Sequence, residues 1–151
     1  MHLVHLLRKL PRLRSLSSEQ CRDLVSAQLA IIGAHRKVRS RALGDLVSVA
    51  DNRSAGIEVQ DPGVAERVAW AVLVASNHGL TRPTCLVRSL AIQQMLRDRG
   101  LPPGQIKIGV RWQDDEFLAH AWVEQGDRVL GDSPSHVATF DPVTDMRMVR
   151  F

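Results

Sequence analysis

The hydrophobic period of this chain changes at Gly100-Leu101-Pro102. Ahead of that point apolar residues recur every three or four positions, the spacing of helices that bury one face. Beyond it they alternate with polar residues, the spacing of half-buried strands. Helices first and a strand meander afterwards argue for an α+β domain, with helices packed on one side of a small antiparallel sheet.

The helical part has readable ends. Ser17 as N-cap puts Gln20 three residues on, the capping-box arrangement, and Leu24, Leu29, Ile31 and Ile32 follow to about Arg36. Residues 45–60 carry only a weak pattern, broken by Asn52 and Gly56. Asp61-Pro62 starts a second helix with proline in its first turn. Val64, Val68, Ala71, Val72 and Ala75 form its buried stripe, joined by Trp70, and Asn77-His78-Gly79 ends it. Thr84 is the expected N-cap of a third helix, with Cys85 at its first position. Leu86, Val87, Leu90, Ala91, Met95 and Leu96 make the apolar face of that helix, and Arg88, Gln93, Arg97 and Arg99 the wet side. Gly100 is its expected C′ residue.

In the second part, Ile106, Ile108 and Val110 mark one strand, which runs through Trp112. Leu118, His120, Trp122 and Glu124 alternate with Ala119, Ala121 and Val123 on the next. Gln113-Asp114-Asp115-Glu116 and Gln125-Gly126-Asp127 are turns, Arg128-Val129-Leu130 begins a return strand, and Ser133-Pro134-Ser135 breaks it.

With 151 residues, 44% of them apolar and 24% charged, the chain reads as one soluble domain, residues 1–151. Within it, residues 1–60 form a basic, helical N-terminal region and residues 61–151 the core. Nine Lys and Arg against two acidic groups give residues 1–41 a charge of +7, and the remainder carries −3. Such a segment suits an acidic peptide, a nucleic acid or a membrane surface, or is simply a solvated face. Without tyrosine, and with three Phe and three Trp scattered, no base-stacking pattern supports nucleic acid. No apolar run approaches the roughly 20 residues that span a bilayer, and Met1 to Arg14 does not read as a signal peptide. Cys21 and Cys85 form neither a disulfide framework nor a zinc spacing, so a reduced, cytoplasmic setting is expected, with no metal and no cofactor.

Cys85, His120 and Asp132 carry the functional signal. A thiol attacks as its thiolate, which a helix N-terminus and a neighbouring imidazolium both favour. The imidazole must be held in one tautomer by an acceptor on its other nitrogen. A hairpin turn at 125–127 pairs residues near 123 with residues near 129, which brings His120 and Asp132 nearly opposite each other. The Cys85 backbone N–H is a candidate oxyanion donor, and Trp70, Asn77, His78 and Trp122 are candidates by type for the second. Taken singly each of the three has an ordinary structural reading; their joint placement gives the chemical reading equal weight. Cys21 reads as structural, and His2, His5, His35 and His136 as surface or loop residues.

The runs Pro83-Thr84-Cys85-Leu86-Val87-Arg88-Ser89-Leu90-Ala91, Leu96-Arg97-Asp98-Arg99-Gly100-Leu101-Pro102, Ile108-Gly109-Val110 and Ala119-His120-Ala121-Trp122-Val123-Glu124 resemble the leader peptidases of lasso-peptide biosynthesis. These belong to the transglutaminase-like, papain-related cysteine proteases. The resemblance covers about residues 64–132. It implies a core with the nucleophile Cys85 at a helix N-terminus, His120 as general base and acid, and Asp132 orienting the histidine. It implies removal of the leader from a ribosomally made precursor peptide, whose freed amine a separate ATP-dependent cyclase then uses. It also implies a separate leader-recognition protein as partner, because the segment ahead of the core is too short to hold that module. The basic N-terminal region is then a candidate docking surface for that partner or for the leader. Two other readings stay open: an acyltransferase that uses the same three residues with an amine acceptor, and a non-catalytic peptide- or nucleic-acid-binding module.

Overall fold

The computed structural model describes residues 15–40 and 61–143. The basic stretch 1–14, with His2 and His5, and the weakly patterned segment 45–60 lie outside the described residues. Three helices, α1 (Ser18–Ser40), α2 (Pro62–His78) and α3 (Cys85–Asp98), precede strands β1 (Gln105–Gln113), β2 (Glu116–Gln125) and β3 (Arg128–Leu130). A one-turn helix α4 (Pro134–Val137) and a two-residue strand β4 (Asp141–Pro142) follow. The strands form one antiparallel sheet in the order β3-β2-β1-β4, so the fold is α+β as the change of period implies.

Local chemistry explains the element ends. Ser17 N–H donates to Gln20 Oε1 at 2.9 Å and Gln20 N–H to Ser17 Oγ at 3.1 Å, the reciprocal capping box. Asp61 Oδ1 accepts from Val64 N–H at 3.1 Å ahead of Pro62. At the end of α3 the Leu101 N–H reaches back to the Leu96 carbonyl and the Gly100 N–H to the Arg97 carbonyl, both at 2.9 Å. These are the two bonds of a Schellman cap, and Gly100 takes the left-handed φ of +69° that it requires. Asp114 and Asp115 both have positive φ between the paired Gln113 and Glu116, a type I′ hairpin.

The core lies between the helices and one face of the sheet. Ile31 from α1, Val68 and Val72 from α2, Val87, Ile92, Met95 and Leu96 from α3, and Ile106, Ala121 and Val123 from the sheet share it. The opposite face carries a smaller cluster of Trp122, Val137 and Phe140. Asp23 of α1 is buried and gripped by Arg99, the residue that caps the C-terminus of α3, and by Arg67 of α2. The Arg67 Nε contact, at 2.8 Å, is ionic and lacks hydrogen-bond alignment.

Four side chains depart from the helical pattern. Gln93, expected on the wet side, is buried and donates its amide to the Gly104 carbonyl at 2.9 Å. Arg99, also expected there, is half-buried against Asp23. Leu29 is 64% exposed, whereas the smaller Ala27 two residues earlier is fully buried. Cys21 is exposed on α1 and packs nothing. No helix among the described residues is long and apolar enough to cross a membrane.

Candidate active site

Thr84 caps α3, accepting from Val87 N–H at 3.4 Å through its hydroxyl and from Arg88 N–H at 3.0 Å through its carbonyl. Cys85 therefore stands at the first helical position, half-buried. The amides of Cys85 and Leu86 belong to the N-terminal set that has no partner one turn back. The turn leading to this start is held by α1, where Gln28 Oε1 accepts from Leu80 N–H at 3.2 Å.

His120 lies on β2 opposite Gly109 of β1. Its ring stacks on Phe140 at 5.1 Å between centroids and lies 6.0 Å from the ring of Trp122. Gly109 makes this possible. A Cβ at that position would come within 2.7 Å of Phe140 Cβ and 2.8 Å of the Trp122 ring.

Nε2 of His120 bonds Oδ2 of Asp132, as the hairpin geometry predicts. The register is one residue off the expectation: Val123 pairs with Leu130, because the loop is only Gly126-Asp127. Pairing ends at Leu130, and Gly131 turns the chain with a φ of +77°. A Cβ on Gly131 would run into Ile92 of α3, so the glycine lets this turn lie directly on the helix that starts with Cys85.

Asp132 is held on both oxygens. Oδ1 accepts from Ser133 N–H at 2.7 Å and contacts His136 Nδ1 at 2.9 Å. Burial raises the Asp132 carboxyl, but the bonds from His120, Ser133 and His136 outweigh it and hold the group below the usual carboxylate range. His136 was read from the sequence as a loop residue, and the structure makes it part of the cluster. The signal lay in Ser133-Pro134, an N-cap followed by a first-turn proline, with Asp132 and His136 four apart. His120, Asp132 and His136 place possible metal-ligand atoms within 4.8 Å of one another, and the hydrogen bonds among them account for that proximity.

Cys85 and His120 sit on elements that share one core, α3 and β2. The Gln93 amide reaches Gly104, which abuts Val123 and Glu124. The side chains nevertheless belong to different layers. Cys85 packs with the helix-side core, and the imidazole lies with Trp122 and Phe140. Among the described residues no hydrogen bond joins the thiol to the ring, and His120 Nδ1 carries none. Of the candidate second oxyanion donors, the Trp122 indole N–H is already committed to Glu124 Oε1 at 2.9 Å.

The family model of the transglutaminase-like superfamily matches residues 28–145. No curated protein and no solved structure matches the chain. The match begins inside α1, well ahead of the segment whose motifs are readable by eye. The packing agrees with that wider span, since Ile31 and Ala34 of α1 share the core with α2 and α3. Cysteine peptidase and acyl-transfer activities are those of this superfamily. The matched segment covers well over half of the chain and contains Cys85, His120 and Asp132 together, so the protein belongs to the transglutaminase-like superfamily.

Proposed function

We propose that this protein is a cysteine peptidase that removes the leader from a ribosomally synthesised lasso precursor peptide, with a separate protein delivering the leader. The observation that supports it best is the His120–Asp132 pair. The carboxylate occupies Nε2 and leaves Nδ1 for a thiol supplied from the first position of α3, which shares its core with β2. Catalysis requires Nδ1 and Sγ to come into hydrogen-bond contact, a tightening that belongs to the substrate complex in sites of this kind.

In the reaction, His120 takes the thiol proton and Sγ attacks the carbonyl carbon of the last leader residue. The Cys85 backbone N–H faces the oxygen as it gains charge. His120 then protonates the leaving amine as the C–N bond breaks, which leaves a thioester on Cys85. Water, deprotonated by His120, releases the leader as a carboxylate. Asp132 holds the imidazole in the tautomer with Nε2 protonated and stabilises the imidazolium. An amine attacking the same thioester would make the protein an acyltransferase, which the superfamily match fits equally.

The test is mass spectrometry of a precursor peptide incubated with the protein and its recognition partner. Native protein should yield a leader with a free C-terminal carboxylate. Cys85→Ala and His120→Ala should yield none, and Asp132→Asn should keep a residual rate. Cleavage that persists in Cys85→Ala would overturn the mechanism. An amide-linked leader in place of the acid would select the acyltransferase.

A further inference from the structure

A cavity of about 250 Å³ opens beside the start of α3, lined by Ser76, Asn77, Arg82, Pro83 and Arg88. Arg82 lies three residues before Cys85 and Arg88 three residues after it. Among the described residues neither guanidinium has an acidic partner, and no acidic side chain lines the cavity. Ser76 has its hydroxyl turned to the Val72 carbonyl at 2.6 Å, so Asn77 is left as the uncharged donor. The larger cavity, of about 300 Å³ near Asp23, differs in kind. Its Arg67 and Arg99 already face Asp23, and nothing there awaits a ligand.

We infer that the Arg82–Arg88 cavity binds an acidic side chain of the peptide substrate, within a few residues of the bond that Cys85 attacks. Helix neighbours three apart have Cβ atoms about 5–6 Å from each other, which roots the Arg88 side chain one turn from the nucleophile. Two forked guanidinium groups without a counter-charge favour a carboxylate through charge-assisted bonds, and the positive end of α3 adds to the field. This deepens the proposed peptidase function by naming a substrate feature, and it rests on Cys85 being the attacking group.

Thiol alkylation tests the site without requiring peptide cleavage. Two reagents differ only in charge: N-bromoacetyl-glutamyl amide and N-bromoacetyl-glutaminyl amide. In each case the Cys85 sulfur forms a bond to the bromoacetyl carbon and bromide leaves. The measurement uses the Cys21→Ser protein, because Cys21 is exposed and would also react. We expect the glutamyl reagent to modify Cys85 about tenfold faster than the glutaminyl one. In Arg82→Gln/Arg88→Gln that ratio should fall to about one, whatever the common change in both rates from the lost cations, with a circular dichroism spectrum like the parent's showing that the fold is intact. Equal rates for the two reagents in the parent overturn the proposal, and so does a preference that survives in the double variant. Loss of precursor cleavage with the charge preference retained would remove the peptidase reading and leave the cavity's assignment standing.

Discussion

His136 Nδ1 stands 2.9 Å from Oδ1 of Asp132, the carboxylate oxygen that His120 does not use. One carboxylate thus ties β2 to the short helix α4, and the two imidazoles meet edge to face with centroids 4.9 Å apart. His136 is 43% exposed at its side chain, so water can take its place. A hydrogen bond of this kind contributes about 0.5–1.5 kcal/mol. On the proposed mechanism His136→Ala should therefore slow turnover about two- to tenfold. On the same mechanism Asp132→Asn should slow it about a hundredfold or more, since His120 as general base would lose its orienting partner. Steady-state rates of the two variants check the ranking, and equal losses would contradict it.

The Asp132 carboxyl lies below its ordinary value of 3.8 in the native state. Near that value the unfolded chain binds more protons than the folded one, so stability rises with pH there. The contribution is complete above the ordinary carboxylate range and is lost as pH falls through the lower native value. Urea unfolding of native protein and of Asp132→Asn, between about pH 5 and pH 3, should show the steeper decline in the native protein. Parallel curves would mean that Asp132 does not contribute to acid sensitivity.

Gly131 has to satisfy two conditions at once, a left-handed backbone and close contact with Ile92. Gly131→Ala should cost about 1–2 kcal/mol from the backbone alone, and it should also shift Asp132 and lower activity. Pairing it with Ile92→Val relieves the contact but not the dihedral. The double variant should therefore recover only part of the activity that Gly131→Ala loses, measured against Ile92→Val alone. Native activity and stability in Gly131→Ala would show that the glycine does not place the carboxylate.

Gln93→Leu should destabilise the fold by about 1–3 kcal/mol, because the buried Gly104 carbonyl loses its donor. Denaturant unfolding measures this loss. Alkylation of Cys85 should be unchanged in the same variant, because the substitution lies two turns from the helix start.

Much of the arrangement was legible because it depends on local chemistry. Thr84 and Cys85 at a helix start, Gly100 at its end, and the Gly126-Asp127 turn are all decided by neighbours within four residues. The hairpin alone put His120 near Asp132. What was missed depends on contacts distant in sequence. Gln93 sits on the buried side because of a carbonyl eleven residues away, and no periodicity records that bond. Asp23 is buried because two arginines, one on α2 and one capping α3, neutralise it. The layer in which the His120 ring lies is set by Phe140 and Gly109, which only the folded sheet brings together.

The sheet order β3-β2-β1-β4 gives the two halves of the His120–Asp132 pair unequal security. His120 rides on an interior strand paired along nearly its whole length with β1, whereas Asp132 hangs beyond a three-residue edge strand. Edge segments with few pairs open at the lowest free energy. On warming, Asp132 should part from His120 before the helices melt, so heat inactivation should set in ahead of the loss of circular dichroism.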